Sequence, residues 1–255
     1  MPKLTVTIIT FNEERNIERC LKSVLPVADE IIVVDSFSKD QTREVCEKYK
    51  VTFIEHPFEG HIQQKNYALE HATYDHVLSL DADEALTEEL QTSITTIKAG
   101  NWTNEAYKFN RLTNFCGKWI KHTGWYPDTK IRLWNKQYGR WGGINPHDKV
   151  VLSNNLQAQH ITGDLLHYSF YSLEQHMDQI NKFSSIRAHE MFQSGRSVSW
   201  FKILLSPPIK FIKHYVLLGG FRDGYSGYVI SKNSAHAVFL KYMKLKYLKM
   251  AQTNP

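Results

Sequence analysis

The sequence predicts an α/β fold, a mostly parallel sheet with helices on both faces. Three observations carry that reading. Short β-branched and apolar runs recur along the first 100 residues: LTVTIIT, EIIVVD, VTFIEH and DHVLSL. Each is followed by a stretch with helical start signals and apolar positions at helical spacing. Parallel neighbours need a helical crossover, so strand–helix alternation at this spacing builds a doubly wound sheet.

The elements follow in order. LTVTIIT reads as a buried strand. Asn12 is expected to cap the next helix, with Glu13 and Glu14 in its first turn, an Ile17–Leu21–Val24 stripe and a stop at Pro26. EIIVVD is the second strand, and Ser38 or Asp40 caps QTREVCEKYK. VTFIEH is the third strand, HIQQKNYALEHA a helix and DHVLSL the fourth strand. Thr87 starts a helix with Glu88 and Glu89 in its first turn, and Gly100 stops it. Beyond Gly100 the character changes. EAYKFNRLTNF and KIRLWN read as antiparallel strands joined by the aromatic loop GKWIKHTGWYPDT, and RWGGINPHDKV as a Gly/Pro loop entering a short strand. Ser172 and Gln175 form a capping box for a helix to about Phe192.

A first domain is expected over 1–194, with a nucleotide-binding half at 1–100 and an acceptor half at 101–194. The Ser/Gly/Pro-bearing stretch from Gly195 to Pro208 marks the boundary to an extension over 195–255. That extension is basic and apolar. From Arg196 onward ten Lys or Arg face one acid, Asp223, whereas the rest of the chain carries 21 basic and 25 acidic residues. SPPIKFIKHYVLLGGFRDGYSGYVIS and AVFLKYMKLKYLKM suit either an interfacial element on an anionic membrane surface or a helical subdomain with solvated lysines. No RNA-binding motif accompanies the basic run, so nucleic acid is not expected as a partner. No run reaches the length of a membrane span, and the N-terminus reads as a first strand rather than a signal peptide. Three scattered cysteines suggest neither a zinc site nor a disulfide framework, which points to a reducing cytoplasm.

Ligands of doubly wound sheets bind at the carboxyl ends of the strands. That rule puts Asn12 and Glu13, Asp35 and Ser36, and Asp81 to Glu84 on one rim. Neither GxGxxG nor a P-loop lies there. Asp81 and Asp83 flank a single small residue at a strand end. Such a pair suits a hard divalent cation, Mg²⁺ or Mn²⁺, which takes oxygen ligands and neutralises a diphosphate; alone it equally suits a solvated turn.

Together, TVTIITFNEERNIERCLKSV, EIIVVDSFSKDQT, QQKNYAL and VLSLDADE resemble the family 2 glycosyltransferases, which have the GT-A fold. WYPDTKIRLWNKQYGRWGGINPHDKV and LLHYSFYSLEQH are similar to the branch that adds glucose to the lipopolysaccharide core. The branch carries Val-His-Glu where this chain has Asn145, Pro146, His147 and Asp148. The carboxylate is kept with a shorter reach.

The resemblance implies a UDP-sugar donor, a divalent metal and inversion at the anomeric carbon. The acceptor would be the lipopolysaccharide core or another membrane glycolipid, met at the inner face of the cytoplasmic membrane. Thr10, Phe11, Asn12 and Glu13 would line the nucleotide. Asp35 would accept from the uracil, with Ser36 beside it. Lys65 would contact base or diphosphate, and Asp81 the ribose or sugar. Asp83 would ligate the metal, with His167 as a further ligand or a structural residue. Arg132 would meet phosphate or acceptor, and Asp148 would be the general base, with His147 orienting it or filling a loop carbonyl. Glu84 would be a solvated or supporting acid. FRDGYSG resembles a segment of the same branch. A nucleotidyltransferase, a sugar-nucleotide or glycolipid binding module and a membrane-associated scaffold are the rival classes. The absence of a Gly-rich basic loop after the first strand weighs against the first, and the acidic set against the others.

Overall fold

The computed structural model describes residues 3–144, 147–153 and 155–253. The chain divides into two compact units, Met1–Leu112 with Asp128–Tyr168, and Thr113–Pro127 with Ser169–Pro255.

The first unit opens with β1 (Leu4–Thr10), α1 (Ile17–Val24), β2 (Glu30–Asp35), α2 (Thr42–Glu47), β3 (Thr52–Glu55), α3 (His61–His71) and β4 (His76–Asp81). The β1–β2, β2–β3 and β1–β4 pairs are all parallel. Burial on both faces explains the unbroken apolar runs. Leu4, Val6 and Ile8 pack with Ile17, Leu21 and Val24 of α1. Ile32 and Val34 turn the other way, onto Ala68 of α3. A short β5 (Glu84–Leu86) and α4 (Glu88–Ala99) follow. Thr87 caps α4 by accepting from the Leu90 amide, as its position predicts.

β6 (Ala106–Phe115) and β7 (Lys118–Ile120) lead out of the first unit; β8 (Asp128–Asn135), β9 (Gly139–Ile144), β10 (His147–Leu152) and β11 (Gln159–Phe170) follow. The sheet order is β3-β2-β1-β4-β8-β6-β11-β5, and β9 and β10 form a separate two-stranded ribbon. The β4–β8, β8–β6 and β11–β5 pairs are antiparallel. The Gly/Pro loop expected at RWGGINPHDKV is therefore largely the β9–β10 ribbon. Asn145 and Pro146, and the His147 side chain, lie outside what is described.

Asn12 does not cap α1. The helix begins five residues later, at Ile17, and Asn12 adopts φ 55°. Its amide donates to Ser38 Oγ and its side chain accepts from the Lys39 amide. The Glu13 and Glu14 amides go to Thr42 and Asp40. The backbone that a longer helix would use is thus spent joining the β1 and β2 ends.

The second unit holds α5 (Leu173–Gln193), α6 (Trp200–Ile212), a π turn (Lys213–Leu217), a 3-10 turn (Gly220–Asp223) and α7 (Gly224–Thr253). Ser172 caps α5 through the Gln175 amide, and Gln175 reaches back to the Tyr171 amide. The stretch from Gly195 to Pro208 is not a linker throughout. Ser199 caps α6, Ile203 is buried, and Pro207 and Pro208 lie within the helix. The break anticipated at 194/195 thus falls inside this unit, between α5 and α6, and the chain passes between the two units after Leu112, Pro127 and Tyr168.

FRDGYSG is a structural lock here. Asp223 is buried and accepts from the His122 amide at 2.9 Å and from His122 Nδ1 at 3.0 Å. Gly227 lies so close to the 3-10 turn that a Cβ would sit 1.8 Å from the Gly220 carbonyl oxygen. His176 is held in a cage with Phe115, Trp125 and Phe170, and burial pushes its imidazole down to about 4.

Candidate active site

Two cavities of the first unit meet at Asp81. The first, about 340 Å³, lies at the carboxyl ends of β1, β2 and β4, and is lined by Thr10, Phe11, Glu13, Ser36, Asp83 and His167 among others. Its position follows from topology, since parallel strands end together on one rim. The β11–β5 pairing sets His167 opposite Glu84, and the Tyr168 amide donates to the Asp83 carbonyl. This brings His167 Nε2 to 3.2 Å from Asp83 Oδ2, with both side chains partly exposed. Across the cavity, burial pushes the Glu13 carboxyl up to about 7; its bond from Asn16 opposes this, and Asp83, Asp40 and Asp81 add to it.

The second cavity, about 530 Å³, is lined by Lys65, Arg132, Trp141, Asp148 and Lys149 among others. Lys65 Nζ lies 2.9 Å from Asp81 Oδ1 and 2.8 Å from Asp148 Oδ2, with only 3% of its side chain exposed. It also lies 4.4 Å from the centre of the Trp141 ring. Arg132 is buried behind these groups. Its Nη2 reaches Glu84 Oε1 at 2.7 Å and Asp81 Oδ2 at 3.2 Å. Burial alone would raise the Asp81 carboxyl, but Lys65 and Arg132 outweigh it and hold it well below the usual carboxylate range. Asp81, at the end of β4, is therefore kept charged by two buried cations.

The ribbon carrying Asp148 is fastened by the QQKNYAL helix. Asn66 donates to the Trp141 carbonyl and accepts from the Trp141 amide, each at 3.0 Å. β10 pairs with β9 so that Asp148 faces Gly143. Adjacent residues of α3 thus hold both the ribbon, through Asn66, and its carboxylate, through Lys65.

Thr10, Phe11, Glu13, Ser36, Asp81, Asp83 and His167 share the first cavity, and Lys65, Asp81, Arg132 and Asp148 the second. Two expected residues stand back from both. Asp35 is 1% exposed, with both carboxylate oxygens taken by the Ser38 amide and hydroxyl. Asn12 is occupied with the loop after β2. Arg132 lines the second cavity but has its guanidinium committed to carboxylates. Glu84 is fully buried rather than solvated, accepting from Arg132 and from the Asp81 amide.

Sequence reasoning missed Gln64 and Asn66 as site-building residues. Gln64 lines the first cavity and donates to Ser36 Oγ at 3.1 Å. Gln64 and Asn66 flank Lys65 in the quoted motif, which was the available signal. Phe58 and His61, also on the first wall, carry no such signal.

Asp83 and His167 are chemically suited to a divalent cation. One carboxylate and one imidazole at an open wall leave positions for phosphate oxygens and water. Among the described residues no group of three or more His, Cys, Asp and Glu forms a closed metal cage. A cation here would complete its shell from the ligand.

The model of the family described as "Glycosyl transferase family 2" matches residues 5–151, more than half of the chain and nearly all of both cavities. An uncharacterized glycosyltransferase of Rickettsia typhi is 33% identical over 264 residues, covering 100% of this chain and 90% of its own. The lipopolysaccharide core biosynthesis glycosyltransferase LpsC of Rhizobium meliloti is 28% identical, covering 96% of this chain and 93% of its own. Among solved structures, the mannosyltransferase PcManGT of Pyrobaculum calidifontis, in complex with GDP-Man and Mn2+, aligns with a TM-score of 0.53 at 13% identity. It covers 97% of this chain and 88% of its own, a likeness of fold. The strand order, the acidic end of β4 and the full-length relatives agree: the chain belongs to glycosyl transferase family 2 and has the GT-A fold.

Proposed function

We propose that the chain is a metal-dependent, inverting glycosyltransferase that moves a sugar, glucose by the branch it resembles, from a UDP-sugar to the lipopolysaccharide core or another membrane glycolipid. The observation that carries this is the pair of cavities joined at Asp81, with Asp83 and His167 on one side and Asp148 on the other. A donor diphosphate fits the first, beside Asp83, and an acceptor hydroxyl the second, beside Asp148. The LpsC likeness supports the acceptor class, and the Mn²⁺ and sugar nucleotide of the mannosyltransferase are in keeping with the donor chemistry.

In the transfer the acceptor oxygen bonds to the anomeric carbon as the bond from that carbon to the diphosphate breaks. Attack from the face opposite the leaving group inverts the centre. Asp148 takes the proton of the attacking hydroxyl. Lys65 occupies Asp148 Oδ2 and so fixes the carboxylate's orientation. Lys65 and Arg132 hold Asp81 ionised at the junction, where it can accept from sugar hydroxyls. Thr10, Phe11, Glu13 and Ser36 line the space for the nucleotide. When bound at Asp83 and His167, a divalent cation supplies charge neutralisation of the departing diphosphate.

The test is donor turnover. The chain is incubated with UDP-glucose and other nucleotide sugars in Mn²⁺, and free UDP is followed. Slow hydrolysis, or transfer with a glycolipid acceptor present, is expected, and Asp83→Ala should abolish it. Full activity in that variant would remove the metal assignment.

A further inference from the structure

We propose that the outward face of α6 is a docking surface for an anionic phospholipid bilayer. The helix buries only Ile203 fully. On the opposite side Phe201, Leu204, Leu205, Ile209 and Ile212 are each more than half exposed, Phe201 at 78%. Positions 201, 205, 208 and 212 recur at helical spacing and form one ridge, with 204 and 209 beside it. Val216 and Leu217, 53% and 75% exposed, follow in the next turn. A contiguous apolar surface of this kind is uncommon on a face meant for water.

Charge selects the occupant. Lys202 and Lys213 are exposed and, eleven residues apart, share one flank of the ridge. The only acid from Arg196 onward is Asp223, and it is 4% exposed, spent on the 118–123 segment. The accessible formal charge of this stretch is therefore cationic. A second copy docked on the same face would set lysines against lysines. Anionic headgroups would meet them with opposite charge while the ridge enters the acyl boundary. Trp200, half exposed with Lys246 Nζ 4.0 Å from its ring centre, supplies an amphipathic aromatic at one end. Thirteen residues of helix extend about 20 Å, too short to span a hydrocarbon core of about 30 Å. The helix would lie in the plane of the surface. The final basic–apolar run is divided: Tyr242 and Leu245 of α7 are buried, whereas Tyr247 is 64% exposed.

This surface lies wholly in the second unit and needs no transfer chemistry, so its test is independent of the activity assay. The full chain is sedimented with large vesicles of phosphatidylcholine alone or of equal phosphatidylcholine and phosphatidylglycerol. Binding to the anionic vesicles is expected, at least about tenfold tighter than to phosphatidylcholine and weakening with salt. Phe201→Asp with Leu205→Asp should lower it by more than about tenfold. Both side chains are exposed, so thermal unfolding should be unchanged. Lys202→Gln with Lys213→Gln should lower it about 25-fold, near fivefold for each lysine. Failure of the unaltered chain to sediment, equal binding to both vesicle types, or undiminished binding by the aspartate pair would each overturn the proposal. So would a lipid-free dimer that the aspartate pair converts to monomer, since the ridge would then be a protein interface.

Discussion

Replacing Arg132 with methionine should destabilise the chain by about 3 kcal/mol or more. Methionine fills part of the same space, so most of the loss is electrostatic. Arg132 is 3% exposed and serves Glu84 at 2.7 Å and Asp81 at 3.2 Å. Asp81 keeps Lys65 after the change. Glu84 does not fare as well: it has no exposed side-chain surface, and its remaining cation, Arg111, is 3.5 Å away. Breaking a buried pair by removing one partner costs about 3–5 kcal/mol, and Arg111 sets the value toward the lower end. In a chain of this length each kcal/mol lowers Tm by about 2–4 °C, so the fall should be about 6–12 °C. Arg132→Met combined with Glu84→Gln removes both charges yet keeps an acceptor for the Asp81 amide, 2.9 Å away. That pair should recover at least half of the loss in urea unfolding. A single-variant loss below about 1 kcal/mol, or no recovery in the pair, would refute the buried-charge reasoning.

Glu13→Gln tests the first cavity by pH. The folded carboxyl is raised from 4.5 to about 7, so the folded chain holds a proton that the unfolded chain has lost. The associated stability is fully present below about pH 4.5 and is lost as pH rises through about 7. The glutamine variant should lack this decline and be more stable above pH 7, by roughly 1–2 kcal/mol after allowing for partial solvent exposure; parallel pH–stability curves for the two proteins would count against it. Gly227→Ala should destabilise the second unit by about 3 kcal/mol or more in urea unfolding, because its Cβ would overlap the Gly220 carbonyl oxygen at 1.8 Å. A change within about 0.5 kcal/mol would show that the 3-10 turn can yield.

The parallel half of the sheet was legible because local signals and tertiary demand coincide there. EIIVVD is buried on both faces, and Thr87 and Ser172 cap the helices their positions announce. Asn12 misled because its capping chemistry was diverted: Ser38 and Lys39, remote in sequence, take its backbone and side chain. Gly195 to Pro208 misled because Ser, Gly and Pro signal breaks locally, whereas Ser199 starts a helix that buries Ile203 and tolerates two prolines. At the site, the carboxylates after β4 could be found from the strand end alone. Their partners could not. Lys65 meets Asp148 across 83 residues, Arg132 meets Glu84 across 48, and Asn66 meets Trp141 across 75. Only the folded chain shows that the cluster is neutralised from within, and that the ribbon bearing Asp148 is anchored to α3.

The most direct test of the division of labour between the cavities is Asp148→Asn, with UDP binding and sugar transfer measured on the same preparation. Asp148 lines the second cavity and not the first. UDP affinity in Mn²⁺ should therefore stay within about threefold, while transfer falls by about 10²–10⁴, the usual contribution of a general base. Collapse of UDP binding, or transfer at the unaltered rate, would contradict the assignment of Asp148 as the base.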